Sequence, residues 1–125
     1  MDINFNDMMI MQKELFELHK DKWSPMEAQY GRNFILWMIE EVGETISIIK
    51  KKGDNAIMND KEVRAKFVEE MSDIMMYYVD TLLRYGVSAN EIASAYVNKH
   101  EYDMKRNYDK ERSAFIHQTE TNSGE

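Results

Sequence analysis

Residues 33–52, NFILWMIEEVGETISIIKKK, decide the fold of this chain. Their apolar residues recur at intervals of three and four, which is the period of one face of an α-helix. Three closing lysines suit the negative end of a helix dipole. The same period continues on both sides, and no segment of the 125 residues alternates as a β-strand would. The sequence therefore predicts an all-α protein.

Start and stop signals place the second helix between Pro25 and Lys52. Ser24 can cap this helix, and Pro25 suits its first position because the missing N–H is not needed there. Glu27 completes a capping box with Ser24. Gly53 can close the helix in a left-handed conformation. These signals predict one continuous helix over this range.

The rest of the chain supplies the other helices of a predicted bundle of four or five. A first helix is expected over about 6–20 and a third over about 60–85, with Asn59 or Asp60 as the cap of the third. The polar stretch 54–59 between the second and third helices is interpreted as a connection. A fourth helix is expected over 88–112, with a break near Asp103.

Length and composition limit the domain organisation and the partners. A chain of this length makes one domain, expected over 1–116, and the polar residues 117–125 are expected to form a disordered tail. The 16 basic and 23 acidic residues give a net charge of -7, which argues against nucleic acid as a partner. The chain has no cysteine, so thiolate metal sites and disulfides are excluded.

Hydropathy bears on location and assembly. The N-terminus lacks the basic region of a signal peptide, and no apolar run approaches the length that spans a membrane. We therefore expect a cytoplasmic protein with no membrane partner. The apolar faces look wider than one thin bundle requires, which favours a homodimer or homotetramer.

Two acid pairs interrupt the apolar faces. Glu41 and Glu44 lie three residues apart on the second helix, as Glu70 and Asp73 do on the third, so each pair projects from one face. Antiparallel packing of these helices would bring four carboxylates together, with no lysine or arginine between them. A hard divalent cation relieves such repulsion, and oxygen ligands suit Mg²⁺ or Mn²⁺. The alternative is that these are solvated acids on amphipathic helices.

The acid pairs also carry a resemblance. EEVGE at 40–44 followed by EEMSD at 69–73 resembles the EExxE…ExxD signature of the MazG-like all-α nucleoside triphosphate pyrophosphohydrolases. The segment Lys99 to Arg106 is similar to the family's closing K-x-x-x-N-x-x-R segment, with Asp103 in place of the usual Asn. The similarity covers roughly residues 24–108.

The resemblance implies a Mg²⁺-dependent hydrolase that cleaves a (deoxy)nucleoside triphosphate to the monophosphate and pyrophosphate in nucleotide-pool housekeeping. Mn²⁺ can substitute for Mg²⁺ in such a site. The implied metal ligands are Glu41, Glu44, Glu70 and Asp73. The implied contacts to the phosphate tail are Lys99 and Arg106.

Three further residues receive roles. Glu40 is assigned to orient or deprotonate the attacking water, because it lies about 100° around the helix from Glu41. Tyr77 is assigned to pack against the deoxyribose, with a core tyrosine as its alternative. Trp23 is assigned to stack on the base, with a structural role at the helix entry as its alternative.

Two functions of another class remain open from the sequence. The chain could be a non-catalytic module that binds metal and nucleotide without turnover. It could also be a purely helical dimerisation module, in which the carboxylates bind nothing.

Overall fold

The structure is a computed structural model that describes the backbone of residues 1–123 and the side chains of residues 1–116. The helices are α1 (Phe5–His19), α2 (Ala28–Lys52), α3 (Asp54–Asn59), α4 (Lys61–Arg84), α5 (Ala89–Lys105) and α6 (Tyr108–Ser123). No strand occurs in the described backbone, which confirms the all-α prediction. Among the described residues, none of the helices has the length and apolar character needed to cross a membrane.

The chain divides into two compact units, Met1–Glu91 and the residues from Ile92 onward. In the first unit α2 packs along α4, while α1 and α3 also contact α4. The Phe34 ring lies 6.2 Å from the Tyr77 ring, and further along α2 the carboxylate of Glu41 meets that of Glu70. Rising numbers on α2 thus match falling numbers on α4. The two helices are antiparallel, as the acid pairs required.

Several predicted helix ends are confirmed. Gly53 has φ 83° and its N–H donates to the carbonyl of Ile49. The Asp60 side chain accepts from the first backbone amides of α4 and caps that helix. Ser88 Oγ accepts from the Glu91 amide at 3.1 Å at the start of α5. These polar side chains supply partners for amides that have none inside their own helices.

The start of α2 differs from the prediction. The helix begins at Ala28, and Ser24 does not cap it. Instead, the carbonyls of Ser24 and Pro25 accept hydrogen bonds from the buried Arg84 side chain. The Glu27 amide also donates to the Pro25 carbonyl at 2.8 Å, and the helix begins only after Glu27, whose backbone is extended and whose side chain makes no cap bond.

The segment 54–59 is helical, so its interpretation as a polar connection was wrong. Ile57 is 7% exposed and anchors α3 in the first unit, where this helix contacts α2 and α4. A single buried side chain is a weaker sequence signal than a helical stripe, and the surrounding Asp and Asn residues conceal it.

The second unit contains most of α5 and all of α6. α5 continues past Asp103 to Lys105, two residues beyond the predicted break. Asn107 then caps α6, since its side chain accepts from the Lys110 amide at 2.9 Å. α6 extends to Ser123, over most of the segment predicted as a polar tail, and the last two residues of that tail lie outside the described residues.

Apolar side chains on α2 remain uncovered in the first unit. The exposed ones are Trp37 and six aliphatic side chains: Ile35, Leu36, Ile39, Val42, Ile46 and Ile49. The corresponding predicted stripe therefore lies partly outside the core. The methionines Met71, Met75 and Met76 on α4 are likewise 40% or more exposed.

Candidate metal centre and adjoining cleft

Three of the four predicted metal ligands come together where α2 crosses α4. One carboxylate oxygen each of Glu41, Glu44 and Glu70 lies within 4.8 Å of the others, and we call these residues the acid cluster. The helical spacing of Glu41 and Glu44 places both on the face that meets Glu70. Oxygen atoms at such separations can share one cation.

The acid cluster combines burial with incomplete pairing. Glu70 is 4% exposed, and Glu41 is half-buried while Glu44 is exposed. The Oε2 atoms of Glu41 and Glu70 are both buried, and neither has a hydrogen-bond partner among the described residues. A buried carboxylate oxygen without a partner is costly, so the cluster offers strong acceptors to a cation.

Lys66 partly neutralises the cluster, contrary to the expectation that no lysine or arginine lies among these acids. Its Nζ lies 3.0 Å from Glu70 Oε1 and 3.7 Å from Glu69 Oε2. The side chain remains 57% exposed, so water screens this charge. The hydrogen bond from Lys66 is the main reason why the pKa of Glu70 lies below its usual value.

The same cluster raises the pKa of Glu41 from 4.5 to about 7. The largest cause is a side-chain hydrogen bond with Glu70, which requires a proton on one of the two carboxyl groups. Burial comes next, followed by the negative charges of Glu44, Glu70 and Asp73. Without a cation, Glu41 therefore holds a proton near neutral pH.

A cleft of about 480 Å³ adjoins the acid cluster, and Glu41 and Asp73 both line it. Asp73 is half-buried and outside the group of three, but its charge acts on Glu41. A volume of this size suits a small-molecule ligand. Asp73 thus lines the cleft and lies close enough to the acid cluster for its charge to act on Glu41.

Four of the twelve residues that line the cleft are aromatic: Trp23, Phe34, Trp37 and Tyr77. The Phe34 and Trp37 rings meet edge to face at 4.9 Å, and the Tyr77 ring lies 6.4 Å from that of Trp37. Burial, followed by nearby carboxylates of which Glu41 is the first, raises the pKa of the Tyr77 hydroxyl. Two predicted contacts, Trp23 and Tyr77, therefore lie at one cavity.

The alternative roles of these two aromatic residues are also visible. The ring of Trp23 stacks on that of His19 at 5.1 Å, and its amide donates to the His19 carbonyl at 3.0 Å. Tyr77 packs against Phe34 in the first unit. Each ring thus supports the fold on one side and lines the cleft on the other.

Three predicted residues remain: Glu40, Lys99 and Arg106. Glu40 is exposed on α2 and does not line the cleft. Lys99 and Arg106 belong to the second unit, where each contacts Asp103, at 3.4 Å and 3.5 Å. Arg106 also pairs with Glu111, and this hydrogen bond is the first cause of its raised pKa.

Sequence reasoning missed several residues of this region. Lys22 brings a positive charge to the cleft lining, and its position beside Trp23 was an available signal. Trp37 lies four residues before Glu41, so helical spacing places it on the same face. Lys66 lies four residues before Glu70, at the spacing typical of a helical ion pair.

At the cleft wall a buried ion pair joins Asp80, which is one of the lining residues, and Arg84; their side chains are 1% and 0% exposed. Arg84 Nε lies 2.5 Å from Asp80 Oδ1, and Gln12 Nε2 donates to the other oxygen of Asp80 at 3.2 Å. The guanidinium also lies over the Phe34 ring, 3.8 Å from its centroid. Hydrogen bonds and opposite charge here satisfy both oxygens of a carboxylate that the sequence analysis had not assigned a role.

Comparison of the chain with protein-family models, curated proteins and solved structures gave no significant match. The resemblance to the MazG-like enzymes therefore stays a prediction based on residues 40–44 and 69–73.

Proposed function

We propose that this protein is a metal-dependent nucleoside triphosphate pyrophosphohydrolase of the MazG-like type. The observation that carries the proposal is a partly buried acid cluster, with two buried unpartnered oxygens, beside a cleft that has an aromatic wall. Carboxylates alone would repel a triphosphate, whereas a bound cation bridges both. A base and a sugar need flat apolar surfaces, and the cleft offers them.

Glu41, Glu44 and Glu70 are the proposed metal ligands, and Asp73 is the fourth. Their oxygens fit a hard cation such as Mg²⁺, with Mn²⁺ as a substitute. When bound, the cation would neutralise phosphate charge and lower the pKa of an attacking water. The raised pKa of Glu41 and its buried Oε2 are the features that such a cation would relieve.

The other residues bind and orient in this proposal. Trp23, Trp37 and Tyr77 pack against the nucleoside, and Lys22 offers a positive charge to the phosphates. Glu40, exposed beside the cluster, orients or deprotonates the water. Lys99 and Arg106 are proposed to reach the phosphate tail, in exchange for their contacts with Asp103.

We also propose that the enzyme acts as a cytoplasmic homodimer or homotetramer. The exposed apolar stripe on α2 supports assembly, because monomeric proteins rarely expose contiguous apolar patches of that kind. Sedimentation equilibrium measures the mass directly. A species of 14.9 kDa at micromolar concentration would contradict the proposal.

The test of the activity is release of pyrophosphate, distinguished from orthophosphate, from a panel of dNTPs and NTPs with Mg²⁺. Glu70→Gln keeps the size of the side chain and removes one ligand charge, so we expect kcat to fall by about 100-fold or more. Glu69→Gln is the matched control, because Glu69 is its exposed neighbour on the same helix. Glu40→Gln should lower kcat without changing Mn²⁺ affinity.

Three outcomes separate the functions. Pyrophosphate release that depends on Glu70 and not on Glu69 supports the enzyme. Tight nucleotide binding with Mg²⁺ but without pyrophosphate indicates a binding module. No binding of metal or nucleotide, with a more stable fold after all four carboxylates are neutralised, indicates a dimerisation module.

A further inference from the structure

The connection between α1 and α2, residues 20–27, forms part of the cleft wall through Lys22, Trp23 and Ser24. It contains no helix, and its own backbone bonds are few. At its start, the amides of Lys22 and Trp23 donate to the His19 carbonyl at 2.9 and 3.0 Å. In the second half one local backbone bond forms, from the Glu27 amide to the Pro25 carbonyl at 2.8 Å.

Arg84 holds the second half from across the fold. Its Nη1 donates to the Ser24 carbonyl at 3.0 Å and to the Pro25 carbonyl. The sequence separation of these bonds is about 60 residues, so they join the end of α4 to the connection. Arg84 is 3% exposed and its own position is fixed by Asp80 and by the Phe34 ring.

An arginine suits this place because its donors point in several fixed directions. One edge meets the Asp80 carboxylate, while Nη1 remains directed to the two carbonyls. Lysine has a single nitrogen on a flexible stem and could not repeat this set of bonds with the same geometry. Buried ion pairs add little stability compared with apolar pairs of the same size. A role beyond stability therefore fits the arrangement better.

We propose that Arg84 is a positioning residue for the cleft. Through the Ser24 and Pro25 carbonyls it holds residues 20–27 in place, so that Trp23 and Lys22 form a preorganised wall. Asp80 and Gln12 hold Arg84 in turn, which links α1, α4 and the connection. For ligand binding the inference rests on the proposed function, whereas the order of the connection can be tested without any ligand.

The first test measures the wall itself. In a Trp37→Phe background, Trp23 is the remaining tryptophan, and its quenching by acrylamide reports its exposure. We expect Arg84→Lys to raise the quenching constant about twofold and to speed hydrogen exchange at residues 20–27, because the connection opens locally. Exchange in the middle of α2 and α4 should stay as in the parent protein.

Arg64→Lys is the matched control, since Arg64 is an exposed arginine on the same helix. Equal quenching and equal exchange in the Arg84→Lys and Arg64→Lys proteins would overturn the proposal. If Arg84→Lys does not fold, the pair Asp80→Asn with Arg84→Met leaves no uncompensated buried charge and still lacks the donors to the carbonyls. An ordered connection in that double variant would overturn the proposal as well.

The second test separates the wall from the metal centre. Two probes are compared with Mg²⁺ present: the four dNTPs, which carry a base and a sugar, and inorganic tripolyphosphate, which has neither. For Arg84→Lys we expect the Kd and KM of the dNTPs to rise about tenfold, with kcat unchanged within about twofold. The Kd of tripolyphosphate should rise by less than about threefold, because this probe loses only the solvent-screened charge of Lys22 and makes no contact with the Trp23 ring. Equal weakening of both probes would overturn a role at the nucleoside wall.

These readouts keep the two proposals distinguishable. If neither probe binds to the unaltered protein, the proposed function fails, and the quenching and exchange measurements still decide the role of Arg84. If dNTPs are cleaved but Arg84→Lys leaves both KM and quenching unchanged, the function stands and the positioning role is wrong.

Discussion

Helix α4 carries two buried carboxylates, and their surroundings differ. Asp80 is 1% exposed, and both of its oxygens have partners, one in Arg84 and one in Gln12. Glu70 is 4% exposed, and its Oε2 has no partner among the described residues. Its cation, Lys66, is mostly exposed to water.

The comparison separates a structural charge from a charge that awaits a ligand. A buried carboxylate whose counter-ion is also buried needs nothing further from solution. Glu70 instead faces two more carboxylates, Glu41 and Glu44, so the local negative charge exceeds what one screened lysine neutralises. The difference shows that burial alone does not mark a functional acid. Its unmatched charge does.

The largest change in stability should follow from removing Arg84, the buried counter-ion of Asp80. Arg84→Met leaves Asp80 buried without its counter-ion, and we expect the free energy of unfolding to fall by about 3–5 kcal/mol. Urea denaturation measures this change. Arg64→Met, at an exposed position on the same helix, should change it by less than about 0.5 kcal/mol. A loss as small as that for Arg84→Met would show that the Asp80–Arg84 pair does not differ in stability from an exposed position on α4.

In the acid cluster, a substitution is expected to change the free energy of unfolding in the opposite direction. Glu41 has a pKa of about 7 in the folded protein and 4.5 as a free side chain, so the folded state holds more protons between these values. The contribution of Glu41 to stability is therefore complete below pH 4.5 and is lost as the pH rises to about 7. Glu41→Gln removes that loss.

The measurement is the unfolding free energy of both metal-free proteins from pH 4.5 to 8. We expect Glu41→Gln to gain on the parent protein as the pH rises, by about 1–2 kcal/mol at the plateau, after allowance for solvent screening of a half-buried group. Glu70 has a lowered pKa and acts in the opposite direction below this range. Parallel pH curves would mean that the fold does not raise the pKa of Glu41.

The smallest effect concerns Lys66. Its charge competes with a metal ion for Glu70, so Lys66→Met should tighten Mn²⁺ binding about three- to tenfold at low salt. Lys61→Met, at the exposed first residue of α4, is the control. Weaker Mn²⁺ binding in Lys66→Met would instead show that Lys66 helps to order the acid cluster.

Much of the fold was predictable because the sequence patterns that indicate helices involve residues close together in the chain. The apolar period, the Asp60 cap and Gly53 depend on neighbours in sequence, and the structure confirms them. The start of α2 was not predictable in this way. Ser24 has the residue type of a helix cap, but it does not cap α2. Its carbonyl accepts a hydrogen bond from Arg84, about 60 residues away, which no local pattern predicts.

The candidate site divides along the same line. Helical spacing was enough to bring Glu41, Glu44 and Glu70 together once α2 and α4 pack antiparallel. Neither the pairing of Glu70 with Lys66 nor the cleft could be read from spacing between acids alone. The cleft depends on the path of residues 20–27, which tertiary contacts determine.

The antiparallel pair of α2 and α4 also fixes the distance between the acid cluster and the aromatic side chains of the cleft. Glu70 and Tyr77 are seven residues apart on one helix, and a rise of 1.5 Å per residue separates them by about 10 Å along its axis. Trp37 and Glu41 mark one turn on the facing helix. Side chains within these intervals can change without altering the separation between the carboxylates and the aromatic wall. A single inserted residue would rotate one group by about 100° away from the other. Variation in this protein is therefore expected to conserve chain length between these positions more strictly than residue identity.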